Sequence, residues 1–175
     1  WEIPFIAHKN DLGEKYYLEK IGEYLTQAVK RRMISDVPIG AYLSGGLDSS
    51  IIVALMSKLG KNPPETFSIG FPEDSYRELP YAEEVAKHCG ANHHSLMLTK
   101  ENYADMLIDT IKIKDAPLSI PHEIALYHMS LELKKYVTVV LSGEGADELF
   151  GGYGRVQRSP MDYKKIEFVR RIVPP

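Results

Sequence analysis

The stretch Ala41-Tyr-Leu-Ser-Gly-Gly-Leu-Asp-Ser-Ser50 constrains this chain more than any other. An apolar run from Val37 to Leu43, broken by Pro38 and Gly40, stops at Gly45-Gly46, and a helical run from Leu47 to Leu59 follows. This reads as a strand, a tight turn and a helix start. The first amides of a helix lack intrahelical acceptors, and the helix dipole leaves that end partly positive. Two glycines let the backbone bend close to a ligand, so those amides can converge on an anion. Ser44, Ser49 and Ser50 add hydroxyl donors, and Asp48 adds a carboxylate where a phosphate-bound cation would sit. An ordinary capping turn shares the same outline. The stretch has neither the Gly-x4-Gly-Lys-Ser/Thr of a Walker loop nor the G-x-G-x-x-G of a dinucleotide fold.

Around it, apolar periodicity alternates between helical and extended. Helices are expected over Gly13–Ile34, with Leu18, Ile21, Leu25, Ala28 or Val29 and Met33 inward, then over 47–59, and over Glu78–His88, with Leu79, Ala82, Val85 and Ala86 inward. Further helices are expected from Thr99 or Lys100 to Ile113, with Tyr103, Met106, Leu107 and Ile111 inward, over His122–Tyr136, and over Tyr163–Ile172. Strands are expected at Glu65–Phe71, Asn92–Thr99 and Val137–Leu141, the last a run of the kind buried on both faces of a parallel sheet. Pro72–Ser75 reads as a turn, 114–121 as a loop fixed by Pro117 and Pro121, and residues 1–12 as an irregular lead-in. Strands alternating with helices give a three-layer α/β/α class with a mostly parallel sheet. Ligands in such sheets bind beyond the carboxyl ends of strands, where strand order reverses.

A second loop follows the last strand: Ser142-Gly-Glu-Gly-Ala-Asp-Glu-Leu-Phe-Gly-Gly-Tyr153. Like the first, it runs from an apolar strand end through Leu-Ser-Gly to an acid. Glu144, Asp147 and Glu148 repel one another unless something positive sits between them, and Gly143, Gly145, Gly151 and Gly152 shape the loop that carries them. Two such turns on neighbouring strands would flank one crevice. Asp48 and Asp147 would then be oxygen ligands for Mg²⁺ carried by ATP, and one carboxylate of the loop is available as a general base toward an amine.

Composition sets the remaining bounds. The chain has 175 residues, 44% hydrophobic and 26% charged, with net charge −3, and is expected to form one domain over 13–175. That balance carries no electrostatic footprint for nucleic acid. The longest apolar stretches fall well short of the roughly 20 residues that span a bilayer, and neither a signal peptide nor a membrane role is expected. The single cysteine, Cys89, excludes an internal disulfide and suits a reducing, cytoplasmic compartment. His88, Cys89, His93 and His94 lack the spacing of a zinc site. The Tyr16-Tyr17 and Met129–Leu133 stripes read as core or domain-contact surface. The start at Trp1 and the end at Val173-Pro-Pro175 suggest a piece of a longer protein.

The Ser-Gly-Gly-x-Asp-Ser form resembles the PP-loop of ATP pyrophosphatases, an adenine-nucleotide alpha-hydrolase-like fold. Leu43-Ser-Gly-Gly-Leu-Asp-Ser-Ser50 together with Leu141-Ser-Gly-Glu-Gly-Ala-Asp-Glu-Leu-Phe-Gly-Gly-Tyr153 is similar to the synthetase domain of glutamine-dependent asparagine synthetase. Phe67-Ser-Ile-Gly-Phe71 and Tyr81-Ala-Glu-Glu-Val-Ala86 are similar to that family too, and the likeness runs from about residue 14 to 160. It implies adenylation of the aspartate side-chain carboxylate by ATP with release of pyrophosphate, then displacement of AMP by ammonia to give asparagine. By motif position, Ser44, Gly45, Gly46, Asp48, Ser49 and Ser50 would hold pyrophosphate, with Mg²⁺ on Asp48 and Asp147. Leu43, Ile69, Ser142 and Gly143 would contact the nucleotide, and Glu144 would take a proton from the attacking ammonia or its adduct.

The chain also departs from the family. Ammonia there comes from an N-terminal glutaminase domain whose nucleophile is a first-residue cysteine, whereas residue 1 here is Trp and Cys89 is internal. Glutamine hydrolysis by that route is not expected of this chain. The family's synthetase domain continues past residue 175 with a lysine that assists adenylation, and a homodimer is compatible with such a longer parent. Asp115-Ala-Pro-Leu-Ser-Ile-Pro-His122 differs from the threonine- and arginine-bearing stretch that contacts aspartate in some relatives. A related ligase acting on another carboxylate, and a nucleotide-binding module inactive on its own, are the alternatives.

Overall fold

The computed structural model describes residues 11–72 and 78–154, with residues 159, 161, 163–165 and 168 beyond them. The lead-in up to residue 10, most of the Pro72–Ser75 turn and the limits of the last helix lie outside the described residues. The elements with defined bounds among the described residues are, in chain order, α1 (Glu14–Arg32), β1 (Ile39–Tyr42), α2 (Leu47–Leu59), β2 (Glu65–Gly70), α3 (Leu79–Cys89), β3 (Asn92–Met97), α4 (Lys100–Lys114), α5 (His122–Leu133), β4 (Val139–Leu141) and α6 (Ala146–Phe150). The sheet order is β3-β2-β1-β4 and every pairing is parallel, with Tyr42 beside Phe67, Phe67 beside His94 and Ala41 beside Leu141. This is the α/β architecture with a parallel sheet that the alternating pattern calls for.

Because side chains alternate along a strand, the sheet divides the interior into two cores. Ala41 and Leu43 face α1, α2 and α3, where they pack with Val29, Val53, Met56, Ala82 and Ala86. Phe67 faces the other way, onto Met129 and Leu133 of α5 and onto Val137. Burial of a side chain such as Leu43 or Phe67 contributes about 2 kcal/mol each. The small residues Ala82 and Ala86 bring α3 close to α2. On the Phe67 face of the sheet, His94 stacks on Phe67, and Glu65 Oε2 lies 2.7 Å from His94 Nε2. His93, across the sheet, pairs through Nδ1 with Thr66 Oγ1 at 2.9 Å, and burial holds its pKa below the usual histidine value.

Four expectations need correction. In α1, Leu18 is 62% exposed and Ile21 is exposed as well. The helix packs on α2 through its C-terminal half, and Val29 is its buried residue. In α4, Leu107 and Ile111 are exposed. This helix packs mainly on α5, and Thr110 is what it buries. The β4 strand is shorter than the apolar run and lies at an edge of the sheet. Val137 is buried, but Val139 is 40% exposed because the strand has a neighbour on one side only among the described residues. The helix before it stops at Leu133 instead of Tyr136, and the turn Lys134–Tyr136 leads into the strand. No helix among the described residues is long and apolar enough to cross a membrane.

Candidate functional site

The sheet order reverses between β1 and β4. The chain moves outward from β1 through β2 to β3, then returns to the other side of β1. The loops that leave these two neighbouring strands therefore share one crevice, which is where ligands of such folds bind.

The β1 loop is braced from within. Leu43 N–H extends the ladder to Phe67 O at 2.9 Å, and Ser68 Oγ donates to Leu43 O, so the last residue before the turn is held on both sides of its peptide. Ser44 N–H donates to Ser49 Oγ at 3.2 Å, and the two hydroxyls lie 3.0 Å apart. Ser49 Oγ also donates to Gly46 O at 3.2 Å, and Ser50 Oγ to the same carbonyl at 2.7 Å. These hydroxyls, read from the sequence as phosphate donors, here tie the turn to the first turn of α2. Gly46 caps α2 with no side-chain hydrogen bond, so no cap side chain covers the amides of that turn. Gly45 adopts φ 80°, where residues with a Cβ are strained, and a Cβ there would stand 2.6 Å from Ala82 N. The turn thus leans directly on the start of α3.

The β4 loop is shaped differently. Glu144 N–H donates to Ser142 Oγ at 3.3 Å, and Ala146 N–H to Gly143 O at 3.2 Å. The short helix α6 then lifts Asp147 and Glu148 above the strand end. This helix was read from the sequence as loop. Gly145 before it and Gly151 after it both have left-handed φ, 90° and 68°. The two loops touch at Gly143, where a Cβ would lie 2.9 Å from both Asp48 Cβ and Ser49 N. That approach brings Asp48 beside the second loop. Of its three acids, Glu148 is engaged by the Tyr153 hydroxyl at 2.5 Å, which holds its carboxyl below the usual value and raises the tyrosine.

Two hollows flank the first loop. On the β2 side, Leu43, Ser44 and Ile69 line a cavity of about 90 Å³ with Glu78, Leu79 and Met129. On the β4 side, Asp48, Ser142, Gly143 and Glu144 line a cleft of about 600 Å³ whose walls are mainly apolar side chains of α1, α2 and α6. The nucleotide residues read from the sequence therefore divide between the two hollows: Leu43 and Ile69 in the first, Ser142 and Gly143 in the second. Sequence reasoning missed Glu78, Leu79 and Met129, which come from two other helices and their caps and carry no local motif. Among the described residues, no three His, Cys, Asp or Glu side chains gather into a metal-holding group. Asp48 and Glu144 line the cleft, and the Asp147 carboxylate lies against Gly152. A pair such as Asp48 and Asp147 would suffice for Mg²⁺ on nucleotide phosphates, since that ion is held by one or two carboxylates together with phosphate oxygens and water.

The loop Asp115–Pro121 ends at the N-terminus of α5. Because α5 runs back to the start of β4, that N-terminus lies at the strand-exit end of the sheet. Lys114 Nζ fastens the loop through Pro117 O at 3.0 Å, Ser119 Oγ at 3.1 Å and Glu123 at 2.8 Å, and the ammonium holds the Glu123 carboxyl below its usual value.

Residues 20–170 match the family model described as Asparagine synthase. Among curated proteins, the chain is 40% identical over 154 residues to Asparagine synthetase [glutamine-hydrolyzing] 1 of Bacillus subtilis, covering 88% of this chain and 24% of that protein. It is 35% identical to Asparagine synthetase B [glutamine-hydrolyzing] of Escherichia coli, covering 90% of this chain and 30% of that protein. The chain thus spans between about a quarter and a third of these relatives. Among solved structures, it is similar to an NMN synthetase from Francisella tularensis, with TM-score 0.52 and 16% identity over 83% of this chain and 61% of that one. It is also similar to an NH3-dependent NAD synthetase from Campylobacter jejuni, with TM-score 0.54 and 17% identity over 78% and 60%. The latter two show the fold.

Proposed function

This chain belongs to the asparagine synthase family, and on that premise we propose that residues 13–175 are part of a synthetase domain that uses ATP to activate a carboxylate and then amidates it with ammonia. The observation that carries the reading is the meeting of the two Ser-Gly loops at Gly143, which sets an anion-binding helix start against an acidic loop in one crevice. The names of the relatives support aspartate as the acceptor and glutamine hydrolysis as the ammonia source. We place the protein in the cytoplasm.

In this reading, the nucleotide is contacted from both sides of the first loop, by Leu43 and Ile69 on the β2 side and by Ser142 and Gly143 on the β4 side. The turn Ser44–Gly46 and the first turn of α2, with Ser49 and Ser50, receive the β- and γ-phosphates, Ser44 N–H, Gly46 N–H and the two hydroxyls exchanging their partners within the turn for phosphate oxygens on binding. An oxygen of the aspartate side chain attacks the α-phosphorus, the bond to the β-phosphate oxygen breaks, and pyrophosphate leaves into the cradle. Amides fixed before the reaction need no reorganisation as charge moves onto pyrophosphate, the source of most such catalysis. Ammonia then attacks the acyl carbon, Glu144 takes the proton from nitrogen, and the bond to AMP breaks to leave the amide. Asp48 and Asp147 would hold Mg²⁺, which supplies charge neutralisation on the phosphates when bound. The braced first loop suits the rigid task, and the exposed second loop suits the proton transfer.

The test is formation of AMP and pyrophosphate from ATP, aspartate and ammonia by a polypeptide carrying this chain. One equivalent of asparagine per AMP is expected. Pyrophosphate released only with another carboxylate overturns aspartate as the substrate. ATP binding without any AMP from any carboxylate favours a nucleotide-binding module.

A further inference from the structure

The return of the chain after α6 is built around one missing side-chain atom. Gly151 closes the helix in the left-handed region, and the next amide, Gly152 N–H, donates to Asp147 O at 3.1 Å. This folds Gly152 back onto the first turn of α6, with its Cα against the Asp147 carboxylate. A Cβ built on Gly152 overlaps Asp147 Oδ1 and lies 2.9 Å from its Cγ. One residue on, the Tyr153 hydroxyl donates to Glu148 Oε1 at 2.5 Å, tying the same return to the neighbouring acid. The chain therefore passes over α6 with a hydrogen bond on the backbone of Asp147, contact on its carboxylate and a tether on Glu148.

We propose that the Gly151–Tyr153 return is a positioning device for Asp147: Gly152 leaves the space that the Asp147 carboxylate occupies against it, which fixes the rotamer from which the acid would reach a cation on the ATP phosphates, and Tyr153 holds the return in place. This rests on the reading of Asp147 as a metal-facing carboxylate. Two of the three atoms nearest a methyl at 152 belong to the Asp147 carboxylate, and the third, Asp147 Cα at 3.3 Å, must give by a few tenths of an ångström. Gly152 itself lies outside the left-handed region, so alanine fits its backbone once the carboxylate turns to another rotamer. At this position, folding and placement of the acid can be separated by one methyl group. The tether also divides the three acids of the loop, with Glu148 engaged by Tyr153, the Asp147 carboxylate against Gly152, and Glu144 lining the cleft with Asp48.

Calorimetric titration of ATP into this chain, once with Mg²⁺ and once with EDTA, tests the proposal alongside the melting temperature. In the wild type, Mg²⁺ is expected to strengthen ATP binding by about tenfold or more. Gly152→Ala is expected to cut that gain to about threefold or less, with metal-free ATP binding and melting temperature unchanged, and Tyr153→Phe to fall between the two. If Gly152→Ala keeps the full gain while Asp147→Asn loses it, the positioning role falls and the metal-facing role of Asp147 stands. If Asp147→Asn also keeps the full gain, or the wild type shows none, Asp147 does not face the metal and both readings fall.

Discussion

The two Leu-Ser-Gly loops begin alike and end as different objects. The first leaves the strand between β2 and β4, its Leu43 is buried, its serines bond one another, and Gly45 is pressed against the start of α3. The second leaves a strand with one neighbour, carries three acids, and turns on Gly145 and Gly151, around which an added Cβ would meet nothing within 4 Å. The same tripeptide thus gives a closely packed seat when elements close on it from both sides, and an exposed arm, held at Gly143 and Gly152, when they do not. Place in the sheet, not the motif, decides which.

Four predictions would break or sharpen that contrast. The largest concerns chemistry. Asp48→Asn on the seat is expected to lower pyrophosphate release by about a thousandfold, as loss of a fixed charge at phosphate does. Glu144→Ala on the arm is expected to lower amide formation by about a hundredfold or more while pyrophosphate exchange persists. Equal loss of exchange in both variants would erase the division of labour. Next is stability. Gly45→Ala combines left-handed strain with overlap on α3 and is expected to destabilise by about 3 kcal/mol in urea unfolding. Gly151→Ala meets strain alone, at about 1 kcal/mol. Equal values would mean that the seat is no more closely packed than the arm.

A smaller effect comes from hydroxyl bracing. Ser49→Ala is expected to cost about 1 kcal/mol, because Ser49 is 8% exposed and its partners lose a bond, against about 0.5 kcal/mol or less for the exposed Ser142→Ala. The smallest concerns acid. The Tyr153 hydroxyl holds the folded-state pKa of Glu148 below its unfolded value, so this bond adds stability above the unfolded value of 4.5, which is lost as the pH falls through the folded one. Tyr153→Phe is expected to flatten that acid limb slightly in melting temperatures measured between neutral and acid pH. A steeper limb would contradict the hydrogen bond.

Much of this contrast was legible in the residues, because a strand that stops at glycines before a helical run has few other outcomes. The parallel sheet follows from the alternation of elements, and the crevice from the rule on strand exits. What escaped was whatever depends on who covers whom. Periodicity marks Leu18, Ile21, Leu107 and Ile111 as one-sided but is silent on whether a neighbour lies over them. The helix α6 spans only Ala146–Phe150, too few residues to repeat an apolar stripe, and its glycine borders read as loop. The cavity beside Leu43 is made by Ile69, Leu79 and Met129, which no spacing connects. The space at Gly152 is invisible without the carboxylate that fills it.

The pairing of Ile39 with Val139 has a consequence for how the molecule comes to exist. The seat is built from β1, α2, β2 and the start of α3, which follow one another in the chain, and β1 meets β2 through residues as near as Gly40 and Glu65. The arm reaches the seat only after β3, α4 and α5 have been laid down and the short β4 has closed the longest loop in the sheet. Closure of that loop carries the largest chain-entropy penalty and the slowest expected rate. During synthesis, a growing chain would therefore acquire its anion-holding half well before its acidic half. Of the two, the acidic half should also be the first to exchange its amide hydrogens with water.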